Sequence, residues 1–383
     1  MPSPAKAIRA EDTPETITIR DASVEDIDTL LDIESRCFDT DKLTRRSFHW
    51  MLTKGKATML VAEHGGTIVG YILLLYHQGT SLARMYSIAV LPEYRESGVA
   101  LRLATAAEED AQERNCVYMR LEVRRDNAAA IRFYERLGYK AIGTWPDYYE
   151  DHMEALRYQK RIQLTQPRSR IQVPFYAQTT DFTCGPAALM MAMKAHDPEI
   201  SMVPETELQI WREATTIFMT SGHGGCGPHG LALAAWRRGF AAEAYISDSG
   251  PLFLDGVRRE SKKKVMRLVH EQFVREAEKC GMPIRVAPLS VDDISAKMAQ
   301  GGVPLVLISS YHLTHKKMPH WVVLTAVDSR FIYAHDPAVD EDMHKSALDC
   351  VNVPIAKGRF GRMAQYGRSQ LKAVVMVYPR RER

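Results

Sequence analysis

Two sets of residues in this 383-residue chain have the types and spacing for chemistry. The first surrounds Cys184, in the run Gln178-Thr179-Thr180-Asp181-Phe182-Thr183-Cys184-Gly185-Pro186-Ala187-Ala188. Small and apolar residues follow the cysteine as far as Met193, which predicts a buried helix with Pro186 tolerated in its first turn. A sulfur at a helix N-terminus faces unpaired N–H groups and the positive end of the dipole, and both favour the nucleophilic thiolate. Gln178, six residues upstream, carries a side-chain amide that could donate to an oxyanion. A nucleophile needs a base, and the candidate is His320 in Pro319-His320-Trp321-Val322-Val323-Leu324-Thr325-Ala326-Val327-Asp328-Ser329-Arg330-Phe331-Ile332-Tyr333-Ala334-His335-Asp336-Pro337. Two apolar strands flank a turn at Asp328-Ser329. His320 stands about eight residues before that turn and Asp336 about eight after it. An antiparallel hairpin then sets them nearly opposite, to within a residue or two of register, where the acid could orient the imidazole.

The second set lies in the first half of the chain. Met85 to Val90 reads as a strand closed by Pro92, and Val99, Leu103, Ala106 and Ala107 recur on one face of a following helix. Between them sits Arg95-Glu96-Ser97-Gly98-Val99-Ala100. Small residues there let an anion approach the backbone, the first amides of the helix are free to donate, and Arg95 adds a cation. Such a loop suits phosphate. On the strand Val117 to Val123, Met119, Leu121 and Val123 share one face and Tyr118, Arg120 and Glu122 the other. Glu122 could deprotonate an amine directly or through water. Periodicity by itself favours a solvated strand residue.

Taken with Asn127-x-Ala129-Ala130-Ile131-x-Phe133-Tyr134-x-x-Leu137-Gly138-Tyr139 and Leu121-Glu122-Val123-Arg124, the Arg95–Ala100 loop resembles the GNAT family of acetyl-CoA-dependent N-acetyltransferases. Within it, the likeness is to the enzymes that acetylate the N-terminal alanine of ribosomal proteins, and it covers roughly residues 17–161. The resemblance implies acetyl-CoA as cofactor, Glu122 as general base and Tyr134 as the acid that protonates the leaving thiolate. It also implies cofactor contacts from Asn127, from the backbone of Ile88, Ala89 and Val90 along the pantetheine arm, and from Arg95, Glu96, Ser97, Gly98, Val99 and Ala100 around the pyrophosphate. Glu96-Ser97 departs from the basic residues or glycine that many relatives carry there.

Cys184, then a distant histidine, then an aspartate followed by proline is similar to papain-like peptidases, above all the double-glycine leader peptidases that process bacteriocin precursors. That likeness spans roughly residues 172–378. It implies Cys184 as nucleophile, His320 as base, Asp336 as orienting acid and Gln178 as oxyanion donor. The transporter domains usually fused to those peptidases are absent, and the long stretch from Ser201 to Gly225 separates the cysteine helix from the next one. Cleavage after double glycine is therefore not implied.

These sites need two frameworks to hold them. The length suits about two domains, and 45% hydrophobic with 25% charged residues is globular composition. In the first half the order is strand, helices, a hairpin through Gly65-Gly66, strand, helix, strand, helix and strand. This predicts an α/β (α+β) chain: a mixed sheet flanked by helices in residues 16–161 and a papain-like α+β domain in 171–383. The boundary falls in the polar, basic stretch between them. A net charge of +3 gives no global field for nucleic acid. No apolar leader or membrane-length run is evident, so the expectation is a cytoplasmic protein with a peptide or protein substrate.

The six cysteines form no C-x-x-C pair, which argues against a disulfide framework or a four-cysteine zinc site. His223-Gly224-Gly225-Cys226-Gly227-Pro228-His229 offers three potential ligands without a clear fourth and reads more simply as a loop into a helix. The basic run Arg258-Arg259-Glu260-Ser261-Lys262-Lys263-Lys264 reads as the start of a solvated helix to Lys279. The expected function is a bifunctional N-acetyltransferase and cysteine peptidase. The alternatives are a second domain that only binds peptide, or one that transfers an acyl group as amidases and transglutaminases do.

Overall fold

The computed structural model describes residues 17–163, 169–215 and 224–381, apart from 253, 255, 256, 258, 315–317, 341–344, 346 and 368. The chain forms two compact units, the first of residues up to His77 and Leu82–Gln163, the second of Gln78–Ser81 and the residues after Gln163.

The first unit contains β1 (Thr18–Asp21), α1 (Ile27–Cys37), α2 (Arg45–Thr53), β2 (Ala57–His64), β3 (Thr67–Tyr76), β4 (Leu82–Val90), α3 (Val99–Glu113), β5 (Tyr118–Arg124), α4 (Ala128–Arg136), β6 (Lys140–Trp145) and β7 (Ala155–Arg161). Its seven strands form one sheet in the order β1-β2-β3-β4-β5-β7-β6. Only β4 and β5 run parallel, joined by the crossover helix α3; the other neighbours are antiparallel. Gly65 and Gly66 both take positive φ, which a tight hairpin turn between β2 and β3 demands. Val99, Leu103, Ala107 and Ala111 bury the α3 stripe against the sheet, with Ala106 half-buried beside them. The chain enters α1 through a Ser23–Asp26 capping box, and α1 packs Ile27, Leu30 and Ile33 with Phe48 of α2 in a second core.

The second unit contains β8 (Ser169–Arg170), α5 (Cys184–His196), α6 (Pro204–Ala214), α7 (Pro228–Arg237), β9 (Phe240–Ile246), α8 (Glu260–Cys280), β10 (Ile284–Arg285), α9 (Val291–Ala299), β11 (Val303–Ser309), α10 (Tyr311–Thr314), β12 (Pro319–Val327), β13 (Phe331–His335), α11 (Ala347–Cys350), β14 (Val353–Ala356), α12 (Lys357–Met363) and β15 (Ala373–Arg380). The sheet runs β10-β9-β15-β11-β12-β13-β14, with β8 added alongside β12. Every residue of α5 from Cys184 to Met193 is buried. That helix lies in a core shared with α6, α7 and the central strands, and this explains why its sequence is apolar all round. The basic run reaches α8 at Glu260; Arg258 and His223 lie outside the described residues.

Candidate active sites

In the first unit a cleft follows from strand pairing. The parallel ladder runs from Leu82↔Tyr118 to Met85↔Leu121 and stops there. β4 nevertheless stays with β3 as far as Gly70↔Val90, and β5 stays with β7 as far as Arg124↔Ala155. The two strands therefore part, and residues 86–90 of β4 lie beyond the end of the ladder with β5 while β4 stays paired with β3 on its other side. A register shift beside Leu73 and Leu74 leaves Tyr86 as the extra residue, a bulge that turns the strand at the point of parting. Gly70 is required opposite this segment, since a Cβ there would come within 2.7 Å of the Ala89 carbonyl oxygen. Ile88, Ala89 and Val90 thus lie beyond the end of the β4–β5 ladder, with the Cys37 thiol donating to the Val90 carbonyl at 3.4 Å.

The loop that follows closes one end of the cleft. Gly98 is the N-cap of α3 with φ +85°, and a Cβ at that position would meet nothing within 4 Å, so the space before the helix is open. Arg95, Glu96, Ser97 and Gly98 are exposed, Val99 is buried and Ala100 half-buried. No acidic residue occupies the first turn of α3, which leaves its amide end positive. These features fit a pyrophosphate. Glu96 holds a left-handed φ of 67° without being glycine, and the Ser97 hydroxyl donates to the Tyr94 carbonyl at 2.6 Å.

Glu122 is the first residue of β5 beyond the parallel ladder, so it does stand at the parting point. Its carboxylate is clamped: Arg84 Nε donates to Oε2 at 2.6 Å and Arg157 Nε to Oε1 at 2.9 Å, with only 4% of the side chain exposed. Arg84 also donates to the Tyr148 hydroxyl at 2.5 Å, and Arg157 lies over the Trp145 ring. Tyr134 is buried on α4 between the rings of Phe133 and Tyr139. Burial raises its hydroxyl pKa, so it keeps its proton at neutral pH. Asn127 caps α4, its Oδ1 accepting from Ala130 N at 3.0 Å.

A carboxyl group not singled out in the sequence lies nearby in the fold. Glu34 of α1 is 3% exposed; it accepts from Leu43 N at 2.7 Å and from the Tyr71 hydroxyl, which is itself 2.9 Å from the Ser87 hydroxyl on β4. Burial raises the Glu34 pKa against the opposing pull of these hydrogen bonds and of Lys42. The Glu34–Tyr71–Ser87 chain thus links a buried acid to the half-exposed start of the β4 segment beyond the ladder. The available sequence signal was a glutamate at i+7 from Ile27, on the stripe that otherwise carries Leu30 and Ile33.

In the second unit Cys184 opens α5, His320 lies near the start of β12 and Asp336 directly follows β13. All three are at most 9% exposed. His320 Nε2 meets Asp336 Oδ1 at 2.6 Å, which leaves Nδ1 as the ring nitrogen to serve the thiol. Burial would lower the His320 pKa, but the Asp336 carboxylate bonded to the ring and the neighbouring Cys184 outweigh it and lift it to about 10. Burial would raise the Asp336 pKa; Lys345 and His320 outweigh that and hold it well below the usual carboxylate range. The first helical amides of α5, at Cys184 and Gly185, point out of the helix end.

Gln178 is tied to the same site, since its backbone N–H donates to the Pro337 carbonyl at 2.9 Å. Its Nε2 donates to Thr180 O at 2.8 Å, which uses one of two amide hydrogens, and its Oε1 is buried without a partner. Glu207 of α6, fully buried, fixes the neighbouring backbone: it accepts from Thr179 N at 3.0 Å, from the Thr179 hydroxyl at 2.7 Å and from the Tyr176 hydroxyl at 3.0 Å. Cys226 packs beside Gly185, and its carbonyl accepts from the Trp321 indole at 3.0 Å. His229 faces His270 at 4.9 Å, and burial with that neighbour depresses its pKa to about 4. Among the described residues no group of three or more His, Cys, Asp or Glu could hold a metal ion.

A model of the Acetyltransferase (GNAT) family matches residues 25–139, and one described as the Peptidase_C39 like family matches residues 173–378. An uncharacterised N-acetyltransferase of Methanocaldococcus jannaschii is 36% identical over 140 residues, 36% of this chain and 87% of the relative. The catalytic subunit NAA10 of the N-terminal acetyltransferase A complex of Arabidopsis thaliana is 29% identical over 150 residues, 38% of this chain and 78% of its own. Among solved structures, Ard1 from Thermoplasma volcanium is similar at 30% identity and a TM-score of 0.35, covering 38% of this chain and 98% of that one. No described helix is long and apolar enough to cross a membrane.

Proposed function

Because the chain belongs to the Peptidase_C39 like family through its second half and to the GNAT N-acetyltransferases through its first, we propose a bifunctional enzyme. Residues 16–161 would acetylate a primary amine at a peptide or protein N-terminus, and residues 171–383 would cleave peptides with a Cys184–His320–Asp336 triad. The naming of the Arabidopsis relative for N-terminal acetylation supports the acceptor class.

In the first half, acetyl-CoA when bound supplies an activated acyl group as a thioester. The β4 edge at Ile88, Ala89 and Val90 would hold its pantetheine arm, the amides of Arg95–Ala100 its pyrophosphate, and Asn127 the cofactor near α4. Glu34, whose carboxyl is made more basic by burial, takes the proton of the acceptor ammonium by way of Tyr71 and Ser87. Glu122 holds Arg84 and Arg157 in place and shapes the acceptor side of the cleft. Tyr134 carries the proton that a departing thiolate needs.

In the second half the observation that carries the reading is the 2.6 Å bond from His320 to Asp336 beside a sulfur at a helix start. A module that only binds peptide gains nothing from a buried, ionised pair whose desolvation is costly. His320 takes the Cys184 proton at Nδ1, the thiolate attacks the peptide carbonyl, the proton passes to the leaving amine as the C–N bond breaks, and water deprotonated at the same nitrogen then hydrolyses the Cys184 thioester, which frees the acid and restores the thiol. The Cys184 amide and the second Nε2 hydrogen of Gln178 donate to the oxyanion. The test is mass spectrometry of a peptide library incubated with the full chain. Acetylated N-termini that need acetyl-CoA, and cleaved peptides lost in Cys184→Ala, are expected. Intact peptides with wild-type protein would remove the peptidase half.

A further inference from the structure

Resting on the thiol–imidazole reading above, we infer that Lys345 is a positioning residue of the second site: it fixes Asp336 and balances its charge, setting the pH range in which Cys184 and His320 are an ion pair. The Asp336 carboxylate is divided between two partners. Oδ1 accepts from His320 Nε2 at 2.6 Å and from Ala338 N at 3.0 Å, while Oδ2 accepts from Lys345 Nζ at 2.6 Å. Lys345 Nζ also donates to Ala338 O at 2.7 Å. Its backbone pairs with Asp340 in both directions, at 2.8 and 3.0 Å, which brings the lysine back to the end of β13.

The charge count gives this arrangement its consequence. A thiolate, an imidazolium and the Asp336 carboxylate sum to −1, and the Lys345 ammonium offsets that charge at the carboxylate itself. Burial pushes the Cys350 thiol up to about 12, and it donates to Ala338 O at 3.3 Å. Cys226, beside Cys184, is pushed well above the ordinary thiol range. Two further carboxylates lie on this side: Asp349 of α11, 7% exposed, which acts on Cys350, and Asp340, whose backbone pairs with that of Lys345. Lys345 is half-buried, and removing a cation there raises the pKa of its neighbours, so without it both the formation of the thiolate and the loss of the imidazolium proton shift to higher pH.

The experiment is the pH dependence of Cys184 alkylation by iodoacetamide in the full chain, with the Cys184 peptide quantified by mass spectrometry. In Lys345→Met both inflections move up by about one pH unit; in Lys345→Arg they stay within a few tenths of a unit of wild type. A Lys345→Met protein that melts lower but keeps the wild-type inflections overturns the inference. Should that variant not fold, the same comparison is made on Asp336→Asn with and without Lys345→Met, where removing the lysine relieves a buried net charge. Unmoved inflections there overturn it equally. A profile with one inflection that His320→Ala leaves unchanged removes the thiol–imidazole reading itself, and the lysine's role with it.

Discussion

His320 and Asp336 meet because the β12–β13 ladder carries one extra residue. Val327↔Ile332 and Ala326↔Tyr333 keep one register, and Leu324↔Ala334 and Val323↔His335 keep another, with Thr325 inserted between them. Continuing the second register by one residue sets Asp336 opposite Val322, two residues from His320 and on the same face of the sheet. Continuing the first would set it opposite Val323 and turn the two side chains to opposite faces. The bulge is anchored: the Thr325 hydroxyl donates to Asn352 Oδ1 at 2.7 Å, and the Thr325 carbonyl accepts from Ile171 N at 2.8 Å.

Deleting Thr325 should therefore abolish peptidase chemistry while leaving most of the sheet. The expected result is a loss of about 100-fold or more in peptide cleavage, the scale of a lost general base, with far-UV circular dichroism close to wild type. Retained cleavage with an unchanged pH profile would show that the bulge does not set the pair.

The His320–Asp336 pair also ties stability to pH. The folded pKa of His320 is raised above its ordinary 6.5, so its contribution is full below about 6.5 and is lost as pH rises towards about 10. Asp336 has the opposite sign: its depressed pKa contributes above the ordinary carboxylate range and is lost on acidification. The gap in β12 amide protection between wild type and His320→Asn should narrow from pH 6.5 to 10, by at most about 1.4 kcal/mol per pH unit. Hydrogen exchange at several pH values measures it, and a constant gap would contradict the pairing.

How much of this was legible in the sequence depends on distance along the chain. The strand–loop–helix around Gly98, the all-apolar helix after Cys184 and the two apolar strands around Asp328-Ser329 are local patterns, and the fold follows them. The register reading placed His320 and Asp336 nearly opposite to within a residue or two, and the ladder sets them two residues apart; a bulge at threonine in an apolar strand leaves no pattern of its own. The clamp on Glu122 joins residues 84, 122 and 157, and Glu207 meets Thr179 across 28 residues. Such pairs depend on strand order and helix packing, so charge and spacing alone could not pair them.

Gly98→Val tests the phosphate loop. The position needs φ near +85°, so a β-branched residue there strains the helix start and its side chain fills open space in front of the amides. Coenzyme A binding by calorimetry should weaken about tenfold or more, equivalent to about 1.4 kcal/mol, with peptidase activity unchanged. Equal affinity in the two proteins would place the cofactor elsewhere.

Glu34 and Glu122 make opposite predictions, which separates a base from a clamp. Glu34→Gln keeps the shape of the side chain and removes its basicity, so kcat for acetyl transfer should fall about 100-fold or more with little change in KM. Glu122→Gln weakens charge-assisted bonds to two nearly buried guanidinium groups, Arg84 at 13% and Arg157 at 3% side-chain exposure. It should therefore lower stability by about 3 kcal/mol, the scale of breaking a buried pair from one side, and any loss of activity should follow the melting curve. Because burial raises the Glu34 pKa, the acid limb of kcat should lie above the ordinary glutamate range in wild type and vanish in Glu34→Gln. If that limb vanishes instead in a folded Glu122→Gln protein, the proton passes through the clamped carboxylate and Glu34 is structural.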